Sequence, residues 1–289
     1  MITLNSDAAS TSLSKTTKAI LNEYGIKLNK NLGQNYLIDR NKRDQIIQFG
    51  NLTKDDVVLE IGPGIGTLTI ELAKRVKKVI AIEQDSNICQ ILENRLKKEN
   101  IDNVDLINDD ALNVEFPKFD KIISNLPYQI SSPITFKFLN YDFQLAILMY
   151  QKEFASRMNG KVGSKDYSRL SAMLYFKCDV DLLTGVSAES FIPKPKVDST
   201  VVRLTPKLPE LNGQLKHLNI KEINEKDFKT YSKFVKALFQ HRNKKVKNAL
   251  IDSRHIITDL DKKEMKAKLN SIKQKKIEEL LSERITNLT

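Results

Sequence analysis

The stretch Val57-Val-Leu-Glu-Ile61, followed directly by Gly62-Pro-Gly-Ile-Gly66, decides the fold of this chain. A short, nearly continuous apolar run of this kind predicts a strand that is buried on both faces of a parallel sheet. The glycines allow the backbone to approach a bound molecule closely. After them, Leu68, Leu72 and Val76 recur at helical spacing. A strand, a glycine-rich turn and a helix in this order predict a doubly wound α/β fold with a nucleotide-type site.

The spacing of the glycines indicates which ligand the turn accepts. A dinucleotide fingerprint would place its third glycine at position 67, where this chain has Thr67. The spacing G-x-G-x-G is better matched to S-adenosylmethionine (AdoMet), which has no pyrophosphate to cradle. Val79-Ile-Ala-Ile82 predicts the second strand, and Glu83 at its end can bind both ribose hydroxyls. We therefore predict that Gly62, Gly64 and Glu83 line an AdoMet site.

Two later apolar runs place polar residues at the same edge of the sheet. Residues 104–108 predict the third strand, which is followed by Asp109 and Asp110. Asp110 is the candidate acceptor for the adenine amine of the cofactor, although either acid could also cap the next helix. Residues 121–124 predict the fourth strand, which ends in Asn125. Because the carboxyl ends of parallel strands meet at one edge, these side chains should converge with the glycine-rich turn.

The segment Asn125-Leu-Pro-Tyr128 suits a planar ring with an exocyclic amine. The side-chain carbonyl of Asn125 can accept one amine hydrogen. Pro127 fixes φ and has no N–H, so the turn can direct a backbone carbonyl at the other amine hydrogen. Tyr128 offers a face on which the ring can stack. Two such acceptors localise the lone pair of the amine, chiefly in the transition state. The plain alternative is a strand end followed by a turn.

A second candidate segment is Phe191-Ile-Pro-Lys-Pro-Lys-Val-Asp-Ser199. Its prolines predict a stiff, extended loop. Such a loop could hold Phe191 opposite Tyr128, so that a base is clamped between two aromatic rings, with Lys194 and Lys196 against phosphates. The alternative is a rigid crossover that keeps Phe191 in the core, and the sequence favours neither.

Charge and helical patterning change at about residue 206. The net charge is +11, and residues 206–289 hold 20 basic and 11 acidic residues, so most of the excess lies there. This part reads as a small basic helical domain that faces a polyanion, with a cluster at Arg242, Lys244, Lys245 and Lys247. The alternative is a solvated lysine-rich surface. We predict a partly disordered extension at 1–28, a catalytic domain at 29–205 and an RNA-binding helical domain at 206–289.

The remaining composition excludes several classes of protein. Cys89 and Cys178 lie far apart and form no Cys-x-x-Cys, so neither a disulfide framework nor a metal site is predicted. No apolar run is long enough to span a membrane, and the first thirty residues lack the apolar segment of a signal peptide. We therefore expect a cytoplasmic protein, acting as a monomer.

Six segments of the chain resemble the ribosomal RNA adenine N6-dimethyltransferases, and most closely the small-subunit (16S-type) dimethyladenosine transferases. They are Asn31–Leu37, Glu60–Gly64, Asn125–Tyr128, Gln151–Glu153, Arg169–Ser171 and Phe191–Ser199. The resemblance implies a Rossmann-like class I AdoMet-dependent fold with a seven-stranded, mostly parallel sheet and a small all-α C-terminal domain. It implies dimethylation of two adjacent adenosines in a hairpin loop near the 3′ end of small-subunit rRNA, with the pre-ribosomal small subunit as partner.

The resemblance also assigns roles to positions. It implies cofactor contacts for a set of residues that the motifs share with the family: Asn35, Leu37, Gly62, Glu83, Asp110 and Asn125. It implies that Asn125, Tyr128 and Phe191 hold the adenine. The family often has phenylalanine where this chain has Tyr36. Residues 1–28 and 208–225 match nothing in the family pattern.

Two other functions fit the sequence less well. The related large-subunit dimethylases, which confer macrolide resistance, share the fold and this type of site. The complete Lys194–Ser199 segment and the long basic C-terminal part favour the small-subunit enzyme instead. A non-catalytic assembly or transcription factor on the same fold would have no need for an intact set of site residues.

Overall fold

The computed structural model describes residues 12–26, 35–207 and 225–288. They form two compact units, one comprising Met1–Ala155 with Asp181–Thr205 and the other Ser156–Val180 with Pro206–Thr289. The predicted division between 205 and 206 coincides with one boundary of these units. Residues 156–180, which the sequence analysis placed in the catalytic domain, group instead with the C-terminal part.

The strands and helices are numbered in chain order. The strands are β1 (Tyr36–Leu37), β2 (Val57–Ile61), β3 (Lys78–Glu83), β4 (Val104–Asn108), β5 (Lys121–Asn125), β6 (Leu145–Gln151), β7 (Cys178–Val186), β8 (Phe191–Ile192) and β9 (Ser199–Pro206). The helices are α1 (Leu13–Glu23), α2 (Arg40–Phe49), α3 (Thr69–Ala73), α4 (Ser86–Lys98), α5 (Ser131–Phe138), α6 (Lys152–Met158), α7 (Arg169–Lys177), α8 (Glu225–Phe239), α9 (Val246–Asp252), α10 (Lys262–Asn270) and α11 (Lys275–Ser282).

Seven strands form the central sheet, in the order β4-β3-β2-β5-β6-β9-β7. β2 pairs in parallel with both β3 and β5, β3 with β4, and β5 with β6, whereas β9 runs antiparallel to β6. The chain therefore builds outward from β2 to β4 and then returns to the other side of β2. Ligands bind at such a reversal, outside the carboxyl ends of the strands. The predicted α/β class with a mostly parallel sheet is confirmed.

The central strands are buried because their side chains are apolar on both faces. The core cluster includes Val58 of β2, Val79 of β3, Ile123 of β5 and Ile147 of β6, each with no exposed surface. Such near-continuous apolar runs are typical of parallel strands that are covered on both sides. Burial on both faces holds the strand ends, and hence the polar residues that follow them, in fixed positions.

A buried ion pair joins the amino ends of β2 and β5. Lys121 Nζ lies 2.9 Å from Asp56 Oδ2 and also donates to the carbonyl of Asn51 at 2.8 Å. The same carboxylate oxygen accepts from the Thr53 N–H at 2.6 Å. Burial alone would raise the pKa of Asp56, but the Lys121 and Thr53 hydrogen bonds lower it. A buried pair with its hydrogen bonds satisfied favours this alignment of the two strands.

One feature of the first unit, the pairing of two very short strands, escaped the sequence analysis. β1 and β8 form a separate antiparallel pair, with Tyr36 opposite Ile192 and Leu37 opposite Phe191. Two-residue strands have no periodicity to read, so only the tertiary structure reveals this link. Part of the extension predicted to be partly disordered is the helix α1, which begins at the N-cap Ser12. Residues 1–11, 27 and 28 lie outside the described residues.

The second unit is held together by aromatic and apolar contacts. The Phe176 ring of α7 stacks on Tyr231 of α8 with centroids 4.6 Å apart, and the Tyr231 hydroxyl donates to the Ala172 carbonyl at 2.9 Å. These contacts explain why residues 156–180 belong with the C-terminal helices. A second cluster joins α9, α10 and α11 through Val246, Met265 and Leu281.

No helix in residues 12–26, 35–207 and 225–288 is long and apolar enough to cross a membrane. The unplaced segment 208–225 falls outside the described residues except for Glu225, the first residue of α8.

Candidate active site

A cavity opens at the carboxyl ends of the central strands, within the first unit. The sequence analysis named a set of its lining residues: Asn35, Leu37, Gly62, Gly64, Glu83, Asp110 and Asn125. Tyr36, Glu60 and Asp109 also line it. The ionisable side chains along this wall, in the part of the chain that the structure describes, are all acidic groups: Glu60, Glu83, Asp109 and Asp110. Such a wall favours a cationic ligand over a pyrophosphate.

Gly62 and Gly64 have no side chains, so the backbone of the glycine-rich turn itself lines the cavity. Gly62 and Gly64 have φ of +68° and +56°, values that residues with a Cβ rarely adopt. A Cβ at Gly62 would lie 2.9 Å from the Pro127 ring, and one at Gly64 would lie 2.9 Å from the Tyr36 ring. Both glycines are therefore required by backbone conformation and by close packing.

Glu83 is held by backbone donors at the end of β3. One carboxylate oxygen accepts from the Gly64 N–H at 3.1 Å and the other from the Asp85 N–H at 3.0 Å. Burial raises the pKa of Glu83, although these hydrogen bonds oppose it. Each carboxylate oxygen has a further lone pair, so the fixed carboxylate can still accept from two hydroxyls.

Asn125 lies at the end of β5, and its orientation is set by a distant segment. Its Nδ2 donates to the Asn35 carbonyl at 3.0 Å. This bond assigns the amide orientation, because the nitrogen must face the carbonyl. The side-chain oxygen of Asn125 is thereby directed elsewhere as an acceptor, which is the role that the sequence predicted for an incoming amine.

Asp110 caps a turn in addition to lining the cavity. Its Oδ1 accepts from the Leu112 N–H at 2.9 Å, and its Oδ2 accepts from Asn113 Nδ2 at 3.3 Å. Asp109 is exposed and accepts from the Asp110 N–H at 2.7 Å. Both acids reach the cavity wall, so the capping role and the proposed adenine contact do not exclude each other.

The two predicted base-stacking residues have different surroundings. Tyr128 is half-buried and does not line the cavity itself, although its neighbours Pro127 and Gln129 do. Its hydroxyl lies 2.6 Å from Ser199 Oγ. Phe191 is only 2% exposed and packs in the core cluster with Leu37, Ile47 and Val201. A ring covered in this way has no face free for a base. The structure therefore corrects the predicted clamp: Phe191 takes the alternative role of a core residue.

Glu60 was not among the predicted site residues, although its place in an apolar strand is visible in the sequence. It is 2% exposed, and its Oε2 has no hydrogen-bond partner in the described chain. Burial raises the pKa of Glu60 to about 8, and the charge of Glu83 adds to this effect, while the Thr69 hydroxyl opposes it. Glu60 is therefore protonated at neutral pH and can gain a charge when a cation arrives.

Comparison with known proteins identifies the family. Residues 25–286 match the family described as ribosomal RNA adenine dimethylase. This chain belongs to that family. It is 48% identical over 273 residues to a probable ribosomal RNA small subunit methyltransferase A of Methanosphaera stadtmanae, covering 94% of this chain and 93% of that protein. A protein of the same description from Methanothermobacter thermautotrophicus is 48% identical over 245 residues, covering 84% and 83%.

Solved structures agree with this family. A dimethyladenosine transferase from Plasmodium falciparum has a TM-score of 0.69 and 30% identity, covering 87% of this chain and 92% of that one. A 23S rRNA methyltransferase, ErmE, has a TM-score of 0.59 and 28% identity, covering 75% and 84%. The dimethylase is thus more similar to the small-subunit relatives reported above than to this large-subunit enzyme.

Most of the predicted RNA-binding cations of the dimethylase have partners inside the protein. Arg242 donates to the carbonyls of Ser164 and Lys165 at 3.1 and 2.8 Å. Three lysines have side-chain partners: Lys244 with Asp252, Lys247 with Asn270, and Lys194 with Glu189. Lys196 and Lys245 are exposed, and neither side chain has a partner in the described residues. The predicted cluster is therefore partly structural.

Within the described residues, no group of three or more His, Cys, Asp or Glu side chains is placed to hold a metal ion.

We predict that Glu60→Gln stabilises the dimethylase increasingly as pH rises. An unfolded glutamate titrates near pH 4.5 and folded Glu60 near pH 8, so between these values only the folded chain holds the proton. Stability therefore falls with rising pH in this window, by about 1.4 kcal/mol per unit for this group. Thermal unfolding from pH 5 to pH 8 should show the melting temperature of the variant rising relative to the parent.

Glu71→Gln is the matched control for this series. Partial burial by itself would raise the pKa of Glu71, but hydrogen bonds from Lys74 and Arg75 lower it to about 2. Its titration lies below the window, so its effect should be constant from pH 5 to pH 8. A constant difference for Glu60→Gln as well would contradict the assigned pKa of Glu60.

A second prediction concerns Tyr36, whose hydroxyl is buried without a hydrogen-bond partner in the described chain. Burial, followed by the charges of Glu83 and Asp85, raises the pKa of Tyr36, so the hydroxyl stays neutral. An unsatisfied buried hydroxyl costs about 1–3 kcal/mol. Tyr36→Phe should therefore raise the melting temperature of the ligand-free protein. Tyr128→Phe is the control, since it removes a bonded hydroxyl and should not stabilise; equal effects would refute the assignment.

Proposed function

We propose that this chain is an AdoMet-dependent small-subunit rRNA adenine N6-dimethyltransferase that modifies two adjacent adenosines in a hairpin loop near the 3′ end of that RNA. The observation that carries the proposal is the orientation of Asn125 at the mouth of the sheet, with its side-chain oxygen available to an amine. The family and the similarity to proteins named as small-subunit methyltransferases support the choice of RNA.

The residues of the cavity fit AdoMet. This cofactor is a cation at its sulfonium and its ammonium, and the wall bears acidic side chains. Gly62 and Gly64 leave room where a Cβ would clash, and the Glu83 carboxylate suits a ribose. Glu60 supplies a buried carboxyl whose Oε2 has no hydrogen-bond partner in the described chain and which can become charged beside a cation. Asn35, Leu37 and Asp110 would complete the contacts.

The chain contributes to the reaction mainly by positioning. When bound, AdoMet would supply a methyl group activated by its sulfonium, and the sulfur would leave with the bonding pair as a neutral thioether. Asn125 accepts from the target amine, and a backbone carbonyl of the Leu126–Pro127 turn can accept the second hydrogen. Both acceptors favour a tetrahedral nitrogen, so they stabilise the transition state more than the ground state. The Tyr128 ring offsets part of the free energy of flipping the base out of its stack.

A dedicated general base is not needed for this chemistry. The amine becomes strongly acidic only as its bond to carbon forms, and its proton can then pass to water. Holding the amine in line with the methyl group should therefore supply much of the rate. Dimethylation also requires that the site admit an amine already bearing one methyl group beside Asn125.

The proposal also covers the location, the oligomeric state and the substrate particle of the enzyme. We expect the enzyme to act in the cytoplasm as a monomer on the pre-ribosomal small subunit. Large-subunit rRNA is the alternative substrate, and the 48% identity to proteins named for the small subunit, against 28% to ErmE, favours the small subunit.

The central test is Asn125→Ala. Losing the acceptor should lower methyl transfer from labelled AdoMet to unmethylated small subunits by about 100-fold or more, because one oriented transition-state donor or acceptor contributes on this scale. Binding to the particle should remain within a few-fold of the parent. Large-subunit rRNA should accept no label from the parent enzyme.

Asn140→Ala is the matched control, because Asn140 is exposed at the end of α5. It should retain full activity. Near-parental turnover by Asn125→Ala would refute the amine-positioning mechanism. Labelling of large-subunit rRNA by the parent enzyme would show that the proposed substrate is wrong.

A further prediction concerns RNA docking through Lys196 and Lys245, two of the predicted RNA-binding residues, whose side chains have no partner in the described residues. Lys196→Glu and Lys245→Glu should each weaken binding to the small subunit and reduce its salt slope by about 1. AdoMet affinity should not change. Lys118→Glu is the control, since Lys118 is also exposed and without a side-chain partner in the described chain. An equal effect of Lys118→Glu would mean that only net charge matters.

A further inference from the structure

The Tyr128–Ser199 hydrogen bond links two segments that lie 71 residues apart, at a distance of 2.6 Å. Ser199 is the first residue of β9 and has no exposed surface. Tyr128 follows the turn at the end of β5 and is half-buried. Burial raises the pKa of Tyr128, although the bond to Ser199 opposes this. The phenol therefore stays protonated, and the two hydroxyls remain bonded at physiological pH.

Ser199 is held more firmly than a loop residue would be. It lies opposite Gln151 of β6 in the antiparallel ladder, and the neighbouring Lys152 N–H donates to the Asp198 carbonyl at 2.9 Å. The Asp198 carboxylate accepts from the Ala188 N–H at 2.9 Å. These bonds fix the backbone at Ser199, so its hydroxyl is held in place as a partner for Tyr128.

The burial of Phe191 completes this arrangement. Its ring packs in the core, and its strand β8 pairs with β1. The loop from Phe191 to Ser199 is thus anchored at its start by core packing and at its end by the sheet. Of the two predicted base-stacking residues, Tyr128 is then the one that keeps part of its surface exposed. The Ser199 hydroxyl is then the group of this loop that bonds to Tyr128.

We propose that Ser199 is a positioning residue that holds the Tyr128 ring in the orientation needed to stack the flipped adenine. The inference rests on the proposed function, because it assumes that the adenine stacks on Tyr128. A tethered hydroxyl prevents the ring from swinging about its side-chain bonds. The ring is then already ordered when the base arrives, and less conformational entropy is lost on binding.

The test uses variants that remove the bond from either side. Ser199→Ala and Tyr128→Phe each remove one hydroxyl and keep the ring, and Ser199→Thr restores a hydroxyl on a residue suited to a strand. We expect each single loss to lower kcat for small-subunit methylation about fivefold, with AdoMet affinity unchanged. The double variant should be no worse than either single variant, because both remove the same interaction. Ser199→Thr should recover most of the rate.

Stacking is read directly with 2-aminopurine in place of the target adenine in a hairpin RNA. The parent should quench its fluorescence on binding, and Ser199→Ala and Tyr128→Phe should quench it less. A merely structural serine would change the melting temperature but not this signal. Ser132→Ala is the control, since Ser132 is exposed on α5.

The outcomes separate this inference from the function on which it rests. If Tyr128→Ala retains parental turnover, the proposed role of Tyr128 itself is wrong. If Tyr128→Ala is inactive but Ser199→Ala keeps parental kcat and quenching, only the positioning role is overturned. Additive losses in the double variant, or a loss that Ser199→Thr does not recover, would also overturn it.

Discussion

The structure depends on the parallel pairing of β2 with β3 on one side and β5 on the other. Val58 of β2 lies opposite Val79 and opposite Lys121, so both neighbours are in register with the same strand. The Asp56–Lys121 ion pair supports this alignment at the amino ends. At the carboxyl ends it brings the glycine-rich turn, Glu83 and Asn125 to one cavity. Without this alignment the chain would hold the same residues but no common site.

Burial at this edge alters the chemistry of its acids. Burial raises the pKa of both Glu60 and Glu83, and the charge of Glu83 raises that of Glu60 further. Two backbone N–H groups donate to the Glu83 carboxylate and stabilise its charged form, whereas Glu60 Oε2 has no partner in the described chain. A cationic cofactor would relieve both, so the ligand-free protein holds unfavourable electrostatics that binding removes. Unsatisfied groups of this kind cluster at functional sites for that reason.

Contacts from distant parts of the chain orient the side chains of Asn125 and Tyr128. The Asn35 carbonyl directs the amide of Asn125, and Ser199 tethers the ring of Tyr128. Both supporting segments are connected through the short β1–β8 pair. β5 and the turn that follows it place these two residues, and the distant contacts set the orientation of their side chains, which is the precision that the proposed positioning mechanism requires.

The sequence by itself determined the fold class, the glycine-rich turn and the strand ends at Glu83 and Asn125, because periodicity and local backbone chemistry are encoded within a few neighbouring residues. Only the tertiary structure decided the rest. Phe191 proved to be a core residue, Arg242 bonds to a loop 77 residues away, and Glu60 holds its proton at neutral pH. Residues 156–180 joined the C-terminal helices through aromatic contacts. Each of these depends on partners and burial supplied by distant parts of the chain, which local sequence patterns do not specify.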